Sequence, residues 1–506
     1  MSEKDNGVAT ATPKAGWDYA PAPETVKVSI AAKYGHFIGG KFVPPRGVGK
    51  GEPSHFATIN PANEQTLAEV AQGTTADVDA AVSAAEKAGR AWAALPGAER
   101  AKYIFRLGRR VQERARELAV LETLDSGKPI KESRDVDVPL VAAHLFYHAG
   151  WADKLPYAFP GRQPRPVGVC GQVIPWNFPL LMAAWKIGPA LACGNTVVLK
   201  PAETTPLTAL RLAEIIEECE LPPGVVNIVT GDGRTGAALV SHPGVAKVAF
   251  TGSTEVGKKI AGATAGTGKK LTLELGGKSA NIIFEDASID QAIEGIIAGI
   301  YFNQGEVCCA GSRLFVQESI LDMVVRKLRH RLGSLRVGDP MDKNTDVGAV
   351  NSKQQLATIE KYVRIGAEEG ADLHVGGGTP TGSNPWASVN GGFSKGYFCR
   401  PCFFTGVQPA HTIAREEIFG PVLSVMSFRT PEEAITRANN SPYGLAAGVW
   451  TDKGGKIFDI ARQLKAGVVW MNTYNKFDPA SPFGGFKESG FGREGGVQGL
   501  RGYVQL

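Results

Sequence analysis

Apolar residues recur along this chain with two different periods, and the changes of period mark out its elements. From Thr74 to Trp92 the positions Val78, Ala81, Val82, Ala85, Gly89 and Trp92 keep helical spacing, and Thr74 with Asp77 forms a capping-box start. A longer helix is predicted over residues 98–125, closed by "DSGKP". Ahead of both, "HFIGGKFVP" reads as a short hairpin. From residue 167 short apolar runs alternate with helix-like segments. The runs are "VGVCGQVIP", "TVVLKP", "VVNIVTG", "KVAFTG" and "LTLELGG", and the helices between them span 179–192, 206–219, 234–241 and 255–265. Buried-type strands separated by short helices are the sequence form of a doubly wound parallel sheet. The alternation resumes after Ser288, paired with Gln291 in a second capping box. It continues through "SRLFVQ", "VLSVMSF", "GLAAGVW" and "GVVWMN", giving a second α/β unit. Residues 375–395 read as a Gly/Ser/Pro-rich surface insertion. The final "GYVQL" reads as a strand with nothing after it to pair with, set to join a neighbour's sheet edge or to fray.

Composition narrows the class. A chain of 506 residues is long for one core, and 43% hydrophobic with 21% charged residues is ordinary for a globular protein. The net charge of +5 is spread without a basic block, which argues against nucleic acid. The most apolar region, Val167–Leu199, carries Pro175, Asn177, Pro179, Lys186, Pro189 and Asn195, so no membrane span is expected. Seven cysteines without scaffold spacing, and a start lacking a signal-peptide layout, point to a reducing, cytoplasmic setting.

Several residues are out of keeping with pure packing. "GDGRTG", with Gly231, Gly233 and Gly236, fits a dinucleotide-binding pattern between strand and helix, or simply a tight turn; the ribose-binding acid usual downstream is missing. Lys200 and Glu203 follow the end of a buried strand, where they either grip a ribose or form a solvated pair. Glu274 sits inside the apolar run Leu271–Leu275, so it is either a satisfied structural acid or a base with a raised pKa. Asn177 lies between two prolines, suited to an oxyanion hole or to an Asx turn. His144 and His148 lack a third ligand and no metal is expected; Cys399 and Cys402 have C-x-x-C spacing but no second pair. Cys308 and Cys309, in "FNQGEVCCAGSR", are either buried fillers or include a nucleophile.

Taken in order, "PWNFPLLMAAWKIGPALACGNTVVLKPAE", "FTGSTEVG", "LELGGKSA", "FNQGEVCCAGSR", "EEIFGPV" and "PFGGFKESGFGRE" resemble the aldehyde dehydrogenase superfamily over residues 34–500. The resemblance implies a fold with a Rossmann-like cofactor domain (34–143 and 166–276) and an α/β catalytic domain (277–478). An oligomerisation arm and C-terminal segment (144–165 and 479–506) and a flexible tail (1–33) complete it. It implies NAD-dependent, hydrolytic oxidation of an aldehyde to an acid. Cys308 is the implied nucleophile, Asn177 the oxyanion donor with the Cys308 N–H, Glu274 the base, and Lys186 and Glu494 a proton relay. Ile174, Trp176, Gly233, Gly236, Gly252, Ser253 and Val256 are implied to line the NAD site. Lys200 and Glu203 would hold the adenosine ribose, and Glu417 and Phe419 would flank the nicotinamide ribose. Phe178, Met182, Trp185, Phe477 and Phe483 would line the substrate funnel. A homodimer or homotetramer is implied. The stretch 148–210 also resembles the first unit of two-unit members, which would place a second dehydrogenase-like subunit beside this one. Glu306 departs from the family's commoner glutamine; ionised and close, it would raise the Cys308 pKa and slow attack. Coenzyme A-dependent acylation and a weakly active partner subunit are the competing functions.

Overall fold

In the computed structural model, residues 21–49, 51–377 and 395–506 are described. Two sheets organise them. The first contains β1 (His36–Ile38), β2 (Lys41–Val43), β3 (Val169–Val173), β4 (Thr196–Lys200), β5 (Val226–Ile228), β6 (Val245–Thr251) and β7 (Lys270–Glu274). Its order is β7-β6-β3-β4-β5-β1-β2, with Gly490–Phe491 paired antiparallel outside β7. β3 to β7 are mutually parallel, and β4 is buried along its whole length, as strands covered by helices on both faces must be. The expected hairpin is present as β1 and β2, and its His36 reaches Asp77 at 3.4 Å. Asp77 also completes the capping box: Thr74 N–H donates to its carboxylate at 3.0 Å, at the head of the Thr75–Ala94 helix.

The second sheet contains β8 (Ala280–Ile283), β9 (Arg313–Gln317), β10 (Asp372–Val375), β11 (Cys402–Thr405), β12 (Val422–Phe428), β13 (Ala446–Trp450) and β14 (Val468–Met471). Its order is β10-β11-β12-β9-β8-β13-β14, parallel throughout except β10. The linker Leu275–Ser279 runs from the C-terminal end of β7 straight to the N-terminal end of β8. The C-terminal edge of the first sheet therefore faces the N-terminal edge of the second. Ser489 pins this linker, its carbonyl accepting from Leu275 N–H at 3.0 Å and its hydroxyl donating to Gly276 O at 2.7 Å.

Four expectations are corrected. The helix predicted over 98–125 is two, Gly97–Glu113 and Ala115–Ser126, broken at Arg114 (φ −100°, ψ 16°). The second piece is buried on nearly every side and must turn inward, while Arg114 stays in reach of Glu117 and Glu218, both at 2.8 Å. Ser288 begins the Ile289–Tyr301 helix but makes no side-chain cap, so the second capping box does not form. The C-terminal strand Val504–Gln505 pairs antiparallel with Arg165–Pro166 of its own chain, and Tyr503 O accepts from Asn195 Nδ2 at 2.8 Å. Residues 21–33 lie against the chain's own surface: Glu24 N–H donates to Met341 O at 2.7 Å, and the Glu24 carboxylate meets Arg116 at 2.6 Å. Most of the 375–395 insertion falls outside the described residues. No described helix is long and apolar enough to cross a membrane.

Candidate active site

A cavity of about 400 Å³ opens where the two sheet edges meet. It brings together Trp176, Asn177, Phe178, Met182, Trp185, Gly252, Ser253, Glu274, Cys308, Glu417, Phe419, Phe477, Phe483 and Glu494, residues spread over more than 300 positions. Ile174, Lys186, Lys200, Glu203, Gly233, Gly236 and Val256 do not line it; Lys186 lies buried behind it, and the others lie on or after strands and helices of the first sheet.

The two cysteines occupy different environments. Past the Ile289–Tyr301 helix the chain passes through Asn303, Gln304 and Gly305, all left-handed at φ 48°, 53° and 73°. A side chain at Gly305 would meet Gly420 O at 2.2 Å, so only glycine fits. This reversal delivers Cys308 to the cavity, half-buried. Cys309 is 1% exposed, its sulfur 3.7 Å from Asn475 Oδ1 and its carbonyl accepting from Tyr474 OH at 2.8 Å. The Cys308 thiol is pushed well above its usual range by its contact with Cys309, by burial and by Glu417. Glu306 acts differently from the expectation. Its carboxyl accepts from Asn351 N–H at 3.1 Å, and burial holds it well above the usual carboxylate range, which disfavours the anion that would oppose the thiolate.

Asn177 does not cap its own turn: its amide Nδ2 donates to Glu306 O at 2.8 Å, two residues before Cys308. The Asn177 side chain also lines the cavity. Glu274, at the end of β7, is 4% exposed, and both of its oxygens lack a hydrogen-bond partner. Burial and the nearby Glu494 push its pKa well up, partly offset by Lys186. Lys186 Nζ in turn sits 2.6 and 2.7 Å from the two Glu494 oxygens. A carboxyl group with no protein partner, walled by an ion pair and open to a cavity, can exchange a proton with a bound molecule.

A crevice lies outside the C-terminal ends of β3, β4 and β6, where strand order reverses. Ser253 caps the Thr254–Thr264 helix through Val256 N–H at 3.3 Å, presenting a helix N-terminus to the crevice. Lys200 is buried and its Nζ lies 3.4 Å from Glu203, whose carboxylate is half exposed. Gly236 lies beside the Lys200 stem, and a Cβ there would be in ordinary contact with Lys200 Cδ at 3.6 Å. Gly233 opens its helix onto free space, with no atom within 4 Å of where a Cβ would stand. At the inner end Glu417 accepts from Gly277 N–H at 2.8 Å, and burial pushes its pKa up to about 7. Phe419, left-handed at φ 57°, packs edge-on to Trp176 at 5.3 Å. An elongated molecule with anionic and hydroxyl groups suits this series of donors and acceptors, so NAD fits.

The funnel wall is aromatic. Phe178 stacks with Phe302 at 6.1 Å, and Trp185, Phe477 and Phe483 pack mutually at 5.5 to 6.3 Å. Val136, Asp137 and Leu140 complete it, from a π-helical turn (Ser133–Asp137) and the helix after it. Sequence reasoning missed these three, and also Phe302 and Tyr474. The spacing of Val136 and Leu140 is the only signal they carry, and a core face carries the same one.

The remaining candidates are structural. His144 and His148 are fully buried, with pKa values pushed down by burial to about 3 and 4, and no metal-binding group of side chains occurs among the described residues. Cys399 and Cys402 are unpaired and buried in the second core.

Comparison with known proteins agrees with this geometry. The sequence profile of the Aldehyde dehydrogenase family matches residues 48–506. Mitochondrial aldehyde dehydrogenase of Rattus norvegicus is 48% identical over 464 residues, covering 89% of this chain and 87% of the relative. The NAD+ complex structure of aldehyde dehydrogenase from Bacillus cereus superposes with a TM-score of 0.87 at 44% identity, over 94% of this chain and 95% of that one. An indole-3-acetaldehyde dehydrogenase complexed with NAD+ does so with a TM-score of 0.87 at 42% identity, over 95% and 96%.

Proposed function

Because the chain belongs to the aldehyde dehydrogenase family, we propose that it oxidises apolar or aromatic aldehydes to carboxylic acids with NAD, releasing the acid by hydrolysis. The observation that carries the hydrolytic reading is Glu274: a buried carboxyl group with both oxygens unpartnered beside Cys308. An enzyme that hands its acyl group to coenzyme A must keep water inactive, and such a base works against it.

In this reading the Cys308 sulfur attacks the carbonyl carbon, and the developing oxyanion is met by the Asn177 amide and the Cys308 N–H. The Asn177 amide is already held by its bond to Glu306 O, so little reorganisation is needed there. NAD, when bound, supplies the hydride acceptor, with Glu417 and Phe419 at the inner end of its crevice. The thioester left on Cys308 is hydrolysed by water that gives its proton to Glu274, and the Lys186–Glu494 pair lies where it can carry that proton away. The aromatic funnel accounts for the substrate class. The cavity wall is mostly aromatic and apolar and carries one lysine, Lys476, so an aldehyde with a carboxylate tail finds little there to offset the loss of its hydration. The relative acting on indole-3-acetaldehyde is in keeping with an aromatic acyl group. The reading includes assembly into a homodimer or homotetramer.

The test is NADH formation with short, long, aromatic and carboxylated aldehydes, with and without coenzyme A. Turnover without coenzyme A, ranking aromatic and aliphatic above carboxylated aldehydes, is expected; strict dependence on coenzyme A overturns the hydrolytic reading. Cofactor choice gives a separate prediction. The Glu203 carboxylate accepts ribose hydroxyls and repels a ribose phosphate, so Glu203→Gln should raise the NADP-to-NAD ratio of kcat/KM by roughly tenfold. Steady-state kinetics with both cofactors decides it.

A further inference from the structure

Behind the nucleophile, a buried acid holds the strained turn in place. Glu132 is 6% exposed, and its Oε2 accepts from the Asn303 backbone N–H at 2.9 Å. Asn303 is the first of the three left-handed residues that reverse the chain toward Cys308. Its side-chain Nδ2 donates to Asn177 O at 2.9 Å and to Glu306 O at 3.2 Å. The Asn177 amide donates to that same Glu306 carbonyl at 2.8 Å. One set of hydrogen bonds thus ties Glu132 to both ends of the oxyanion site: the amide at Asn177 and the backbone leading into Cys308.

We infer that Glu132 and Asn303 are positioning residues for the oxyanion hole, Glu132 fixing the left-handed turn and Asn303 fixing the Asn177 loop against it. The inference rests on the dehydrogenase reading given above. The physical ground is that neighbouring left-handed non-glycine residues are held only where their surroundings over-determine them. Gln304, the second of them, is anchored separately, its Nε2 donating to Ala349 O at 3.2 Å and its Oε1 accepting from Gly348 N–H at 3.2 Å. The Asn303 backbone N–H depends on Glu132. Burial pushes the Glu132 pKa up to about 8, and a carboxyl oxygen accepts from the N–H in either charge state. A leucine there would leave a buried N–H without a partner and the turn free to relax.

The experiment compares Glu132→Leu, Glu132→Gln and Asn303→Gly, each alone and combined with Asn177→Ala, in steady-state assays on the full-length enzyme. Asn303→Gly suits the left-handed backbone while removing the amide arm. Glu132→Leu is expected to lower kcat/KM for aldehyde by roughly ten- to a hundredfold with NAD affinity unchanged, since small misplacements at a reacting centre have effects of that order. Glu132→Gln, which keeps an acceptor oxygen, should restore most of the rate. In the Asn177→Ala background both Glu132→Leu and Asn303→Gly should cost clearly less than they do alone, with Glu132→Leu keeping the part of its effect that acts through the backbone leading into Cys308. Multiplicative losses in that background, a Gln variant as impaired as Leu, or a parallel fall in NAD affinity would overturn the inference while leaving the dehydrogenase reading intact. If Glu132→Leu fails to fold, Asn303→Gly decides the question by the same comparison. A wild-type enzyme inactive on every aldehyde would sink both.

Discussion

Cys308→Ala is expected to lower aldehyde-dependent NADH formation by roughly a thousandfold or more, the scale on which removal of a covalent nucleophile acts. Cys309→Ala should stay within about threefold, as expected of a small buried filler. Adjacent in sequence and both at the cavity wall, the two thiols differ in exposure and in partners. The left-handed turn through Asn303, Gln304 and Gly305 presents Cys308 to the cavity. Cys309 is 1% exposed and committed to Asn475 and to Tyr474 through its carbonyl. Alkylation by iodoacetamide checks the same assignment independently of turnover. The Cys308 pKa is raised in the free enzyme, so its thiolate fraction, and with it the alkylation rate, should keep climbing from about pH 7 to pH 9 without a plateau. Mass analysis should place the label on Cys308. Equal loss in the two alanine variants, or labelling first at Cys309, would remove Cys308 from its role.

Glu274→Gln should separate the two halves of the reaction. Acylation and hydride transfer use Cys308 and the oxyanion donors, whereas hydrolysis of the thioester requires a base. The variant is expected to release one equivalent of NADH per active site in a rapid burst and then stall, with steady-state turnover down by roughly a hundred- to ten-thousandfold. Rapid-mixing absorbance measurement resolves burst from steady state. In the wild type the raised Glu274 pKa sets the sign of the pH effect. Below that pKa the group is protonated and cannot accept the water proton, so deacylation quickens as pH rises through it; the Gln variant should lose this dependence. A variant with no burst would move Glu274 into acylation, and one with full turnover would return it to a structural acid.

The structure separates residues that sequence alone left ambiguous. Asn177 between prolines read equally as an Asx turn and as an oxyanion donor; its amide spans to Glu306, 129 positions away. Glu274 read as satisfied or functional, and neither of its oxygens has a protein hydrogen-bond partner, which supports the proposed role. Glu306 read as a threat to the thiolate, yet its carboxyl is drawn off to Asn351. In each case a side chain's partner comes from a distant segment, and no local pattern names it. Glu132 and Asn303 were invisible for the same reason, since a glutamate in a polar helical stretch looks solvated until its burial is known.

The sequence by itself determined the strands and most helices, the two α/β units and the family, because strand period, turn glycines and ordered motifs are local properties of the chain. It also supplied the residue types at the site. Tertiary structure alone decided which of them share a cavity and which way each one faces. The linker Leu275–Ser279 opposes the two sheet edges, and three consecutive left-handed residues turn Cys308 toward the space between them. Burial then sets the protonation of Glu274, Glu306 and Glu417, because the penalty for a charge depends on what surrounds it and not on its neighbours in sequence.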